Sequence, residues 1–185
     1  MSLEQYARER PALRAGMIEH RRARQLQIGA HCSWSFEDRR TVQYQVQEML
    51  RSERIFEPEA IAEELETYNP LIPDGSNLKA TLMIEYPDPA ERAQRLVDLR
   101  GFERHCWMRV GSFDPVYAIA DEDLPRENDT KTSAVHFLRF EFSAAMIAAA
   151  RSGATLAAGT DHPMYRYSVD PLLEPLRSEL LADFA

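Results

Sequence analysis

The chain has 185 residues, 44% hydrophobic and 28% charged, with a formal net charge of -8 at pH 7. That length suits one domain able to bury roughly 70% of its unfolded surface. The acidic balance speaks against a nonspecific nucleic-acid binder, which needs a net basic face for phosphate contacts, and no apolar run approaches the ~20 residues of a membrane span.

The charged N-terminal stretch Met1 to Arg10 lacks the apolar segment of a signal peptide. Cys32 and Cys106 stand apart, with no Cys-x-x-Cys pair. Two unpaired buried thiols in a reducing compartment are expected, and with them a cytoplasmic location.

Ser2 with Gln5 three residues on has the form of a capping box, and Leu3, Tyr6, Leu13 and Met17 give the apolar stripe of the helix that follows. Pro11 has no N–H to donate and either kinks this helix or starts a second one. The helix closes on His20-Arg21-Arg22-Ala23-Arg24, cations that complement its dipole or form a small anion site. Residues 1–28 are thus expected as an N-terminal helical segment packing on the core.

Residues 31–36 alternate as a short strand. The helix after Asp38 places Val42, Val46 and Met49 on one stripe, continued by Glu53, and Tyr44, Glu48, Arg51 and Ile55 on another. A carboxylate continuing an apolar face must be paired, protonated or at the edge of the core. Arg51, Arg54 and Arg139 are the available partners. Pro58 opens a further helix whose apolar positions are Ile61, Leu65 and Tyr68, ended by Asn69-Pro70. In the strand Leu78 to Tyr86, Ala80, Leu82, Ile84 and Tyr86 share one face, and Thr81, Met83 and Glu85 the other.

Asp88-Pro89 starts a helix expected to bury Ala93, Leu96, Val97 and Leu99 and to stop at Gly101. His105 to Val110 and Val116 to Ala120 read as a hairpin, and the polar run Asp121 to Thr132 as a mobile surface loop. The segment Ser133 to Ser143 is the longest strand-like run. It sets His136, Leu138, Phe140 and Phe142 on one face and Val135, Phe137, Arg139 and Glu141 on the other. Ser143 caps an alanine-rich helix ending at Gly153. Thr155 to Thr160 and Met164 to Val169 pair through Asp161-His162-Pro163, and Asp170-Pro171 opens a last helix with the stripe Leu173, Leu176, Leu180 and Phe184. Strands that follow one another without intervening helices imply an α+β class: a largely antiparallel sheet flanked by helices, one compact domain over 1–185.

The sequence has no phosphate-binding glycine loop, nucleophile elbow or His-Glu-x-x-His motif, and no tight metal-ligand spacing. What remains is a constellation from distant parts of the chain: Glu48, Arg51 and Glu53 on a helix, Glu85 on one strand, His136, Arg139 and Glu141 on another, and Asp161-His162 at a turn. If the strands of Glu85 and Arg139 are neighbours, a carboxylate faces a guanidinium across the sheet. Arginine grips carboxylates in bidentate fashion, whether of the protein or of a small acidic ligand. His136 and His162 are candidates for proton transfer, and His136, Asp161 and His162 for a metal. Against these stand the structural readings: hydrogen-bonded histidines and a sheet ion pair between Arg139 and Glu141.

Several segments together resemble a known family. They are Gln47-Glu48-Met49-Leu50-Arg51 with Glu53, Tyr68-Asn69-Pro70-Leu71-Ile72-Pro73, Ala80-Thr81-Leu82-Met83-Ile84-Glu85, Val135-His136-Phe137-Leu138-Arg139-Phe140 and Asp161-His162-Pro163. The set is similar to a bacterial domain-of-unknown-function family, number 3501. The resemblance implies one family domain over nearly the whole chain. Through gene company with rubrerythrin-like and iron–sulfur proteins it also implies a redox-related setting, by association rather than mechanism. The chain lacks the Cys₄ clusters and Glu-x-x-His helices of iron–sulfur and di-iron proteins, so in such a setting it would assist rather than carry electrons.

The leading expectation is an accessory cytoplasmic protein that binds a small acidic ligand or a partner protein through the Glu48/Arg51/Arg139 neighbourhood. Homo-oligomer formation is left open, and no cofactor is identified. The rival is an enzyme using His136, His162 and nearby carboxylates, with or without a divalent metal, for hydrolytic or redox work. A third reading is a structural subunit whose polar pairs only specify the fold.

Overall fold

The structure, a computed structural model, describes residues 1–122, 126, 128 and 130–185. In chain order these form α1 (Leu3–Ala23), β1 (Gln25–Ile28), β2 (Cys32–Phe36), α2 (Arg39–Glu53), α3 (Pro58–Tyr68), β3 (Asn77–Ile84), α4 (Pro89–Asp98), β4 (Cys106–Val110), β5 (Val116–Tyr117), β6 (Ile119–Ala120), β7 (Val135–Glu141), α5 (Ala144–Arg151), β8 (Leu156–His162), β9 (Tyr165–Val169) and α6 (Leu176–Ala182). The fold is α+β. Where one antiparallel sheet is expected from the sequence, two are found, in the strand orders β1-β2-β3-β7-β6 and β5-β4-β8-β9.

Alternation decides which side chains turn inward. β3 buries Leu78, Ala80, Leu82 and Ile84 and leaves Lys79, Thr81 and Met83 half-buried on the other face. β7 buries His136, Leu138 and Phe140 and turns Phe137, Arg139 and Glu141 the other way. The two strands are neighbours, with Leu82 opposite His136 and Lys79 opposite Arg139. Inward faces of both sheets join one apolar cluster, where Trp34, Phe36 and Phe140 lie with Cys106, Met108 and Leu156. Both cysteines are buried and free, and burial pushes the Cys32 thiol up to about 12. The sheets also meet at their edges. The chain runs from β5 into β6 through Ala118, and Tyr165 of β9 donates its hydroxyl to the Ile28 carbonyl at 2.8 Å.

Several elements depart from the sequence reading for local reasons. Pro11 neither ends nor restarts α1, because both it and Ala7, whose carbonyl loses its partner, are exposed. Residues 25–28, expected to continue the helical segment, form β1 instead. The 116–120 strand divides between the sheets: Tyr117 pairs with Trp107 on β4, but Ile119 pairs with Arg139 on β7. In α4 only the narrow stripe Leu96 and Leu99 is buried, whereas Val97 is exposed, as is Ala93. The Leu172 N–H bonds to the Leu156 carbonyl at 2.7 Å, so Leu172 turns inward in place of Leu173, and the helix starts only at Leu176. Glu53 is exposed and does not continue the buried stripe, which is Val42, Val46 and Leu50. The loop expected over 121–132 lies partly outside the described residues.

Two polar clasps hold the helices, one against the sheet and one against each other. The first is Arg24, which is only 1% exposed. Its Nε donates to the Phe36 carbonyl and its Nη2 to the Glu37 carbonyl, each at 3.2 Å. Nη1 reaches Glu179 and Nη2 also reaches Asp183. The cation thus ties the end of α1, the end of β2 and the C-terminal helix. The second is Glu48 of α2, which accepts from Arg10 Nε and Nη2 at 2.7 Å and from the Tyr6 hydroxyl at 2.5 Å.

Arg24→Met leaves two carboxylates facing a buried, uncompensated gap and should cost about 3–5 kcal/mol. The cost should appear as a lower urea midpoint at unchanged slope. A loss below about 1 kcal/mol would mean that the clasp is not structural. At Glu48 the Arg10 hydrogen bonds, opposed by burial and aided by Tyr6, hold the carboxyl at about 2 against an ordinary 4.5. A depressed carboxyl stabilises the fold above its unfolded value, and that contribution is lost as pH falls through the folded value. The melting-temperature gap between the wild type and Glu48→Gln should therefore be full above pH 4.5 and close as pH drops toward about 2.

Candidate functional site

The outward face of the first sheet carries a large concavity. Across its middle strands lie Ser35 and Ser33 of β2, Lys79, Thr81 and Met83 of β3, and Phe137 and Arg139 of β7. Helices α2 and α3 stand over this face without closing it. A cleft of about 770 Å³ opens between the sheet and the end of α3, bounded by Tyr68, Leu71, Phe137, Lys79 and Arg139. A lobe of about 320 Å³ adjoins it toward α2 and shares Glu37, Tyr68, Leu71 and Phe137. Small-molecule sites have this size and this make-up, an apolar lining with a few converging polar groups.

The polar groups follow from strand register. Lys79 and Arg139 are directly opposed, a like-charge pair that a sheet does not favour on its own account. Arg139 grips Glu122 through Nε at 2.7 Å and Nη2 at 2.8 Å, and donates from Nη1 to Glu141. These contacts, chiefly Glu122, raise the Arg139 pKa further, and Arg139 in turn holds the Glu122 carboxyl below its ordinary value. Lys79 Nζ donates to the carbonyls of Pro70 at 2.5 Å and Ile72 at 3.0 Å. A guanidinium has five N–H groups and an ammonium three. Three N–H of this cation pair therefore have no acceptor among the described residues.

Glu37 sits where the two lobes meet. β2 ends just before it and Asp38 caps α2 just after it, so its backbone is pinned, with its N–H on the Lys79 carbonyl at 2.8 Å. Its carboxylate accepts from the Thr41 hydroxyl at 2.5 Å and the Thr81 hydroxyl at 2.8 Å. Arg126 spreads over the Phe137 ring at 4.5 Å and pairs with Asp121 at 3.3 Å.

A family model described as a protein of unknown function, DUF3501, matches residues 1–184. The chain belongs to the DUF3501 family. It is similar to a crystal structure from Burkholderia pseudomallei K96243, itself described as a novel protein of unknown function. The two share 46% sequence identity and a TM-score of 0.94, over 100% of this chain and 96% of that one. No curated protein matches the chain.

The DUF3501 fold disperses the residues singled out in the sequence. Glu48 belongs to the α1–α2 clasp, its partner being Arg10 rather than Arg51, Arg54 or Arg139, and Arg51 is exposed like Glu53. Glu85, just past the end of β3, accepts from the Ser33 hydroxyl at 2.6 Å and does not face Arg139, whose opposite residue is Lys79. Glu141 accepts from Asn77 at 3.0 Å beside its contact with Arg139. Of the expected Glu48/Arg51/Arg139 neighbourhood, Arg139 alone lines the cleft.

His136 is fully buried on the core face of the same strand. Its Nδ1 meets Asp121 Oδ2 at 2.6 Å, and its Nε2 meets the Thr132 hydroxyl at 2.8 Å and the Ser133 carbonyl at 3.1 Å. One ring thus ties together both ends of the polar run. Asp121 takes a left-handed backbone, φ 52°, and is held there by this contact and by the Phe137 N–H at 3.0 Å. His162 lies within β8, with Nε2 on the Arg100 carbonyl at 3.1 Å and the Met164 N–H on Nδ1 at 3.2 Å, and burial lowers its pKa. Its neighbour Asp161 instead faces outward between His105 at 2.7 Å and the Tyr117 hydroxyl at 2.7 Å. Those two contacts hold the carboxyl low against the opposing effect of partial burial. Among the described residues no group of three or more His, Cys, Asp or Glu is placed to hold a metal ion.

The sequence reading missed Glu37, Lys79, Glu122, His105 and Tyr117. Lys79 shares a face with Thr81 and Met83 by simple alternation, but only the β3–β7 register sets it against Arg139.

His136→Ala should destabilise the fold by roughly 1–3 kcal/mol, because the Asp121 carboxylate and the Thr132 hydroxyl lose their buried partner. His105→Ala, half-exposed in the wild type, should stay within about 0.5 kcal/mol. Chemical denaturation of the two variants side by side checks the contrast, and equal losses would contradict it.

Proposed function

We propose that this DUF3501 protein is a binding protein for a small organic anion, held in the cleft between α3 and the first sheet. The observation that carries this reading is the opposed Lys79–Arg139 pair, whose spare N–H groups line a concavity floored by Phe137. A planar guanidinium next to an ammonium suits a carboxylate or phosphate, which takes N–H donors from both. The rings of Phe137 and Tyr68 with Leu71 suit an apolar or aromatic body attached to that anion. Glu122 and Glu141 already offset the charge of Arg139, so what a bound anion adds is acceptors for the N–H groups that remain.

The reading keeps Arg139 from the sequence expectation and replaces Glu48 and Arg51 with Lys79. A concave site of this volume fits a small molecule better than a partner protein, whose interfaces are broad and flatter. The histidine-based alternative finds less support, since both rings are enclosed and their nitrogens are engaged within the protein. The redox-related setting implied by the family resemblance adds no residue to this site.

Simple aromatic carboxylates such as 4-methylbenzoate should raise the melting temperature of the wild type at millimolar concentration. Arg139→Met should weaken that binding roughly ten- to hundredfold, the worth of a charge-assisted hydrogen bond, and Lys79→Met should weaken it less. Calorimetric titration gives the affinities. An unchanged affinity in Arg139→Met would sink the proposal.

A further inference from the structure

Resting on the anion-binding reading above, we infer that the ligand of the cleft is zwitterionic, with an amine at the end opposite its anionic group. The inference comes from Glu37. Its carboxylate lies at the junction of the two lobes, and both of its bonds are to neutral hydroxyls, Thr41 and Thr81. Ionised carboxylates offer about four acceptor sites, so two remain. No cation stands within ion-pair distance of it among the described residues. The nearby Arg24 guanidinium spends its bond on the Glu37 backbone carbonyl instead.

A half-buried carboxylate without a counter-charge is tolerable while water reaches it. Once an apolar body fills the cleft and expels that water, the charge needs a cationic hydrogen-bond donor. The cations already in the cleft do not supply it. Lys79 is drawn toward the Pro70 and Ile72 carbonyls, Arg139 toward Glu122 and Glu141, Arg126 toward Asp121 and the Phe137 ring, and Arg21 over the Tyr44 ring. A ligand amine would satisfy Glu37 while the ligand's anionic group satisfies the spare N–H of Lys79 and Arg139.

Sheet geometry sets the spacing. Thr81, which anchors Glu37, stands opposite Phe137 and diagonal to Arg139. Diagonal positions on one face are about 7–8 Å apart. The two charges of the ligand should therefore be separated by several bonds, with Phe137 beneath the spacer. An α-amino acid, whose charges share one carbon, is too short. A ω-amino acid with a flat or extended apolar spacer fits.

The test compares two probes with the same body and carboxylate, 4-(aminomethyl)benzoate and 4-methylbenzoate, by calorimetric titration of the full chain. The wild type should bind the amine-bearing probe roughly tenfold more tightly or better, the worth of one charge-assisted hydrogen bond. Glu37→Gln keeps the side-chain shape and an oxygen for one threonine hydroxyl, while the other hydroxyl can turn to accept from the new amide N–H. The substitution should abolish that preference by tightening 4-methylbenzoate, which no longer desolvates a carboxylate, and by weakening the amine-bearing probe. Equal affinity for the two probes in the wild type overturns the inference without any variant and leaves the anion site standing. A preference that survives Glu37→Gln overturns it as well. Failure of both probes to bind the wild type, or affinities indifferent to Arg139→Met, would remove the anion site and this inference together.

Discussion

The arrangement of this molecule depends on a guanidinium placed where almost no water reaches. Arg24 closes α1, and its donors bind the carbonyls of the two residues at the end of β2 and the carboxylates of the C-terminal segment. Burying a cation is costly unless its hydrogen bonds are filled with good geometry. Those bonds can form only when the first helix, the first sheet and the last helix are all in place together. The sequence offers two readings for the basic cluster that ends α1, a dipole complement and an anion site. The structure divides the cluster by residue: His20 bonds Asp38 at 2.7 Å, Arg22 pairs with Glu19 at 3.0 Å, and Arg24 serves neighbours from distant segments.

The same clasp bears on the cleft. By holding the carbonyl of Glu37 it fixes where β2 stops, and Asp38 then starts α2 through a reciprocal cap with Thr41. Thr41 thereby presents its hydroxyl to the Glu37 side chain. A residue more than a dozen positions upstream thus sets the aim of a carboxylate that bonds a threonine of β3. Preorganisation of this kind matters for binding, because a side chain already held in position loses little entropy when a ligand arrives.

Much of the fold is legible in the sequence, because each face of each strand has its own chemistry. The alternation in β3 and β7 correctly separates Leu82, Leu138 and Phe140 from Thr81, Phe137 and Arg139, and caps such as Ser143 and Asp88 mark helix starts where they occur. What the pattern does not hold is partnership. β1 is four residues long, too short for alternation to stand out. The split of 116–120 between two sheets leaves no trace in side-chain periodicity. Glu48 and Arg10 are 38 positions apart, and Arg139 and Glu122 are 17 apart, so neither pair can be read from helical or strand spacing. The site residues suffer most from this, since an ion pair is defined by its partner. Arg139 is recognisable as an unusual residue on a strand, but its role depends on Lys79 opposite, and only register reveals Lys79.

His136 and Arg139 show how one strand can face the core on one side and a cleft on the other. Three positions apart, they point to opposite faces. His136, turned into the core, gathers Asp121 and Thr132, so both ends of the segment between β6 and β7 are tied to a single ring. Glu122 follows Asp121 directly and reaches back to Arg139 on the outer face. The buried histidine therefore positions the residue that neutralises the half-buried arginine. Histidine suits this place because it offers two hydrogen-bonding atoms at a fixed angle on a rigid ring, and an aliphatic residue of equal size offers none. The strand most suggestive of catalysis in the sequence thus spends its histidine on order and leaves its arginine and phenylalanine facing the cleft. Affinity there would come from positioned charge over an apolar floor rather than from a proton-transferring imidazole.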